Sequence, residues 1–170
     1  MPNTYDPIAT YTFSSAASTY TFSSIPGTYT DLIVMCYVKA AVNPSYGIAL
    51  QFNSDTGTNY DFNYMYGTGS GAFASSKSSQ SSMSIGYGTG VGSGSPSVLK
   101  AHILDYANTT TYKSVFTEGA NYDTSYGGVE NLVGNWRSTA AINSITVYAP
   151  YGSMTLAIGS TLTLYGIKAA

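Results

Sequence analysis

Between Asp31 and Lys39 both alternating sets of side chains, Leu32, Val34, Cys36, Val38 and Ile33, Met35, Tyr37, are apolar. Successive side chains of a strand point to opposite faces, so this run predicts a strand covered on both sides. Thr10 to Ser15 and Thr19 to Ser24 repeat Thr-Tyr-Thr-Phe-Ser-Ser, which predicts two similar strands joined through Ala16-Ala17-Ser18. Further strands are predicted over Gly47 to Asn53, Tyr60 to Tyr66, Val98 to Tyr106, Tyr112 to Thr117, Ala141 to Tyr148 and Thr161 to Ile167. Gly, Pro, Asn, Asp and Ser turns separate them, and no amphipathic helical stretch intervenes. About nine or ten short strands so spaced predict an all-β fold, an antiparallel β-sandwich that is jelly-roll-like.

The 170 residues suit a single domain, 1–170. Residues 1–8, with Pro2 and Pro7 and no periodicity, read as an extended N-terminal arm. From Gly67 to Ser97 Ser and Gly dominate, with Phe73, Met83, Ile85, Tyr87 and Val91 as anchors, so 67–97 is expected to be a long exposed loop or hairpin. Asn121 to Gly128 is expected to be a second, shorter loop.

Composition changes the picture of the surface. Charged residues are only 8% of the chain, while mean hydropathy is just +0.01. Ordinary soluble domains carry about 25% charge, so this surface must be polar through Ser, Thr, Asn and the 17 Tyr. Hydroxyls and amides of that kind suit permanent contact with another chain. The basic residues Lys39, Lys77, Lys100, Lys113, Arg137 and Lys168 stand singly in a chain of formal charge -2, which argues against nucleic acid as a partner. The longest apolar run, Leu32 to Val38, is far short of the ~20 residues of a spanning helix, so no membrane association is expected. With one cysteine, Cys36, in that apolar run, no intrachain disulfide is expected and synthesis in a cytoplasm fits.

Candidate chemistry is sparse. His102 is the only histidine and shares a strand face with Lys100, where a surface role is favoured over a ligand or general base. No nucleophile elbow precedes a helix, no carboxylate pair stands out, and no phosphate-binding Gly-Lys-Thr/Ser follows the glycines of 88–94. Asn53 to Asn59 is oxygen-rich like a calcium loop but lacks a closing Glu, which favours a β-turn. Trp136 and the tyrosines could form a sugar-stacking platform, although packing of Trp136 in the core is the simpler expectation. The expectation is therefore a non-enzymatic protein with no catalytic, cofactor-binding or metal residues.

Several segments in order resemble a family of bacteriophage virion structural proteins known from phages of cyanobacteria and marine bacteria. They are Asn3 to Tyr11, Phe22 to Leu32, Phe52 to Tyr60, Tyr112-Lys113-Ser114, Trp136 to Ile142 and Gly159 to Lys168. The resemblance implies a capsid cement or decoration protein on the virion surface, made in the host cytoplasm, whose partners are the major capsid protein and itself as a homodimer or homotrimer. A tail or baseplate component, or a carbohydrate-binding module for host attachment, is the alternative.

Overall fold

The computed structural model describes residues 4–42, 47–87, 90–122, 127–150 and 153–168. Among them the chain is all-β, with antiparallel pairing throughout. The strands are β1 (Tyr5–Thr12), β2 (Thr19–Phe22), β3 (Asp31–Val38), β4 (Ala40–Val42), β5 (Ile48–Phe52), β6 (Tyr60–Thr68) and β7 (Gly71–Gln80). They continue with β8 (Met83–Ile85), β9 (Ser97–Ile103), β10 (Lys113–Tyr122), β11 (Gly127–Trp136), β12 (Ile145–Tyr148), β13 (Thr155–Leu156) and β14 (Thr161–Ile167).

An eight-stranded sheet runs β1-β14-β3-β9-β10-β11-β6-β7, a four-stranded sheet runs β2-β12-β5-β8, and β13 pairs with β4. Alternation decides which residues of the large sheet turn inward. Leu32, Val34, Cys36 and Val38 of β3, Leu99, Ala101 and Ile103 of β9, and Leu162 and Leu164 of β14 are buried. Phe22, Ile48, Leu50, Phe52, Met83, Ile85, Ile145 and Val147 from the small sheet complete the same core. Burying one such side chain contributes roughly 1.5–3 kcal/mol. Packing of these two inner faces, more than local propensity, therefore holds the strands in place.

Several expectations need correction. β3 is covered fully on one side and only in part on the other: of its outward set Ile33 is buried, Met35 half-buried and Tyr37 exposed. Tyr5 to Ile8, expected in an arm, begin β1 and pair with β14. The Ser/Gly-rich segment is in part the exposed hairpin expected of it, but not throughout. Its first part closes a β6/β7 hairpin and its middle supplies β8, whose Met83 and Ile85 are wholly buried. Val91 is buried as well, and the Tyr87 N–H donates to the buried Glu130 carboxylate at 3.0 Å, so a few anchors suffice to fix this stretch. Asn121 and Gly128, expected in a loop, pair with each other at the end of the β10/β11 hairpin, while 123–126 lie outside the described residues.

The fit between the sheets is close where β8 meets β11. A Cβ added at Gly134 would stand 2.5 Å from Met83 Sδ and 2.8 Å from the Asp61 carbonyl oxygen, so only glycine fits. Gly134→Ala should cost about 1–3 kcal/mol by overpacking. Thermal unfolding followed by circular dichroism should show a midpoint lower by about 2–4 °C for each kcal/mol lost; an unchanged midpoint would refute this packing.

Candidate functional site

The outward face of the eight-stranded sheet carries an apolar surface set by register. Tyr37 pairs with Val98, Val98 with Ala120, Ala120 with Val129, Val129 with Gly67, and Gly67 with Ala72, so one row crosses β3, β9, β10, β11, β6 and β7. A second row brings Ile33, His102, Phe116 and Val133 abreast. Tyr37, Val98, Phe116, Val129, Val133 and Met65 are each between 44% and 62% exposed, all on this one face. Isolated exposed apolar side chains are ordinary, but several aligned on one face mark a contact surface.

Ionisable side chains on the face have polar partners. Lys100 and Glu118, opposite each other in the middle row, form an ion pair at 2.8 Å. His102 Nε2 lies 3.1 Å from Asp31 Oδ2, and the other oxygen of Asp31 accepts the Asp105 N–H at 2.8 Å. At the β6 end Arg137 Nε meets Asp61 Oδ2 at 3.0 Å. An open depression of about 500 Å³ lies between Met65, Ala74 and Val133, with Asn63 and Asn131 also lining it. Such a floor offers methyl and thioether contacts with amides beside them, a chemistry suited to another protein surface.

The reverse side of the β6/β7 hairpin is aromatic. The rings of Tyr64 and Tyr66 lie within 19° of parallel with centroids 6.1 Å apart, and Tyr66 stacks on Phe73 at 5.0 Å. Tyr87 approaches Tyr64 to 4.9 Å, and the Lys77 ammonium lies 5.7 Å from the Tyr87 ring centroid. Phe73 is exposed and the two tyrosines are half-buried.

The residues singled out in the sequence lie elsewhere. Trp136 is buried against Phe52 and Tyr60, so it offers no platform to a sugar. Its indole N–H donates at 2.7 Å to Asp55 Oδ2, which also accepts from Asn59 Nδ2 at 2.9 Å, while Oδ1 takes the Gly57 N–H at 2.8 Å. The oxygen-rich 53–59 loop is thus a turn whose carboxylate serves the indole. Desolvation pushes the Asp55 pKa up, but the hydrogen bonds from Trp136, Asn59 and Gly57 outweigh it and hold the carboxyl below its ordinary range. The Tyr60 hydroxyl, raised by burial, donates to the Asp55 carbonyl and accepts the Phe52 N–H. Cys36 is buried, and desolvation pushes its thiol up to about 12. Lys113 is buried too, lowered by desolvation, and spans the Thr111 and Thr139 carbonyls at 2.8 and 3.3 Å.

Among the described residues no three His, Cys, Asp or Glu side chains cluster. The surface residues themselves were not singled out in the sequence. The available signal was the outward alternation of Val129, Asn131, Val133 and Asn135, but Gly and Asn in the same stretch obscure it.

Asp55 and Cys36 yield measurable consequences. A carboxyl with a folded pKa below its unfolded value of about 3.9 contributes stability that is present above that value. That stability is lost as pH falls through the folded pKa, because the unfolded state then binds the proton first. Asp55→Ala should lower stability at neutral pH by about 1–3 kcal/mol, by stranding the indole N–H, and should flatten the fall of unfolding midpoint below about pH 4. An unchanged acid limb would disprove the assignment. Cys36 should resist thiol reagents at pH 8 in the native protein and react once denaturant is added; rapid native labelling would contradict its burial.

In comparisons with known proteins, the chain matches no family model, no curated protein and no solved structure.

Proposed function

We propose that this chain is a non-enzymatic phage virion structural protein, a capsid cement or decoration protein that binds and stabilises the shell of major capsid protein. In this reading the sheets form a jelly-roll-like β-sandwich whose outward face is the adhesive surface. One observation carries it: β3 is apolar on both sides, and its outward side, where Ile33 is buried but Tyr37 exposed, continues across five neighbouring strands as a face on which Val98, Phe116, Val129, Val133 and Met65 are exposed. The virion context comes from the ordered sequence resemblance.

Adhesion through such a face would combine apolar burial at its centre with neutral hydrogen bonds from Asn63, Asn131 and Asn135 around it. These contributions add over area and respond weakly to salt, unlike ion pairs. A tail or baseplate position would use the same surface, and labelling on intact particles by electron microscopy separates the two locations. The carbohydrate-binding alternative draws on a different observation, the Tyr64, Tyr66 and Phe73 ladder. Binding on a glycan array abolished by Tyr66→Ala would favour it.

Particles stripped of the protein should rupture at lower temperature than decorated ones, and re-addition should restore the difference. Val129→Glu, which places an unpaired charge in the centre of the face, should weaken binding to stripped particles by about tenfold or more while leaving the fold intact. Equal heat resistance with and without the protein would reject the proposal.

A further inference from the structure

The two edges of the eight-stranded sheet are built differently. At one edge β1 contains Pro7, which has no N–H to donate, and its register with β14 shifts between Pro7 and Ala9. Asp6 on that strand is ion-paired with Lys168. These devices discourage further strand addition. At the other edge, β7 pairs with β6 in unbroken register from Gly71↔Thr68 to Lys77↔Phe62, and the register shift comes only beyond that stretch. Gly71 to Lys77 contains no proline and no acid, and its one charge, Lys77, turns toward the Tyr87 ring. An extended row of backbone donors and acceptors is thus left on a nearly neutral strand whose side chains are almost all exposed.

We propose that β7 pairs antiparallel with β7 of a second copy about a two-fold axis at Ser75, joining two eight-stranded sheets into one. Symmetry restricts the choice of register. Opposed residues in an antiparallel pair share a face, so a two-fold axis perpendicular to the sheet must pass through a residue pair and not between residues. With the axis at Ser75, Ser75 faces its own copy, Ala74 faces Ser76, Ala72 faces Ser78, and Phe73 faces Lys77. Axes at Ala74 or Ser76 would set Lys77 against Gly71 or Ser75 instead. The Ser75 register alone of these three brings the exposed Phe73 ring beside a lysine stem, twice by symmetry, on the face where Lys77 already lies over an aromatic ring. No like charges oppose each other, and every other pair is small enough to leave the backbones at ladder distance.

The second copy is favoured over an unrelated strand because, about its own centre, the edge sets each Phe73 against a Lys77 and each remaining small residue against another small one. Pairing also continues an existing pattern. The outward face that carries the row from Tyr37 to Ala72 ends at β7, and a two-fold axis perpendicular to the sheet keeps the outward faces of both copies on the same side. This inference rests on the reading that the protein works by lateral association with other chains, but its test needs no virion.

Sedimentation velocity of the purified full chain over a concentration series should show a dimer. Ser75→Lys and Ser75→Glu alter an exposed side chain and place like charges face to face across the axis, so each alone should sediment as a monomer, with dimerisation weakened about tenfold or more. An equimolar mixture of the two variants should recover the dimer, because opposite charges then meet. A monomeric wild type at about 100 μM, or a dimer that both variants leave untouched, would overturn the inference. A heterologous strand as the natural occupant would appear as a monomeric wild type. A wild type that stays monomeric yet still protects capsids would sink the β7 pairing alone, whereas a dimer without effect on capsids would sink the capsid reading alone.

Discussion

A sheet has two faces, and among the described residues the core is built on only one of them. The small sheet, with Ile48, Leu50 and Phe52 of β5 and Ile145 and Val147 of β12, shares one buried core with the inner residues of β3, β9, β10 and β14. Everything else follows from that packing. The inner residues of the central strands are held in register, and their outer residues are consequently held in rows. A row such as Tyr37, Val98, Ala120 and Val129 exists because the core fixes each strand's register, since a slip of one residue would turn Val98 inward and Leu99 outward. The contact face is thus positioned by residues that take no part in it.

Where hydrophobic alternation was strong, the sequence sufficed to place strands: β3, β5, β6, β9, β12 and β14 fall within or beside the predicted segments. The misses have a common cause. β7 is Gly-Ala-Phe-Ala-Ser-Ser-Lys-Ser-Ser-Gln, with one strong β-former, and β11 carries Glu130, Asn131, Gly134 and Asn135 among its apolar residues. Their strand state comes from pairing with β6 and β10, a tertiary effect that local composition does not announce. The aligned outer face was hidden for a related reason, because it is assembled from strands far apart in sequence and only their register brings Phe116 beside Val133. Trp136 and Asp55 were both noticed, but separately; the hydrogen bond that explains each spans 81 residues.

Scarcity of charge acquires a structural meaning at this point. The ionisable groups are spent on closing local geometry: Asp55 on the indole, Asp31 on His102 and a backbone N–H, Lys113 on two carbonyls, Lys168 on Asp6. Few remain to surround the outer face with a hydrated, repelling border. Apart from the Lys100–Glu118 pair, whose burial would carry a desolvation penalty, the centre of the face holds apolar and amide side chains that another surface can cover at low electrostatic cost. The same composition would be a poor choice for a freely diffusing monomer, whose solubility depends on net charge.

Edge pairing and face contact do not compete for the same atoms. A strand added at β7 extends the sheet within its plane through backbone groups, whereas a partner on the outer face stacks along the normal, about 10 Å away, through side chains. Joining two copies at β7 would therefore leave Met65, Val129 and Val133 uncovered and bring two such patches onto one continuous surface. Two linked patches meeting a repetitive shell gain from effective concentration, so weak individual contacts could hold firmly without any single tight site. That gain depends on whether the link spacing matches the sites, and hydrogen bonds within a sheet fix that spacing. An unguarded edge beside a guarded one is then consistent with a protein whose sheet is meant to continue in one direction only.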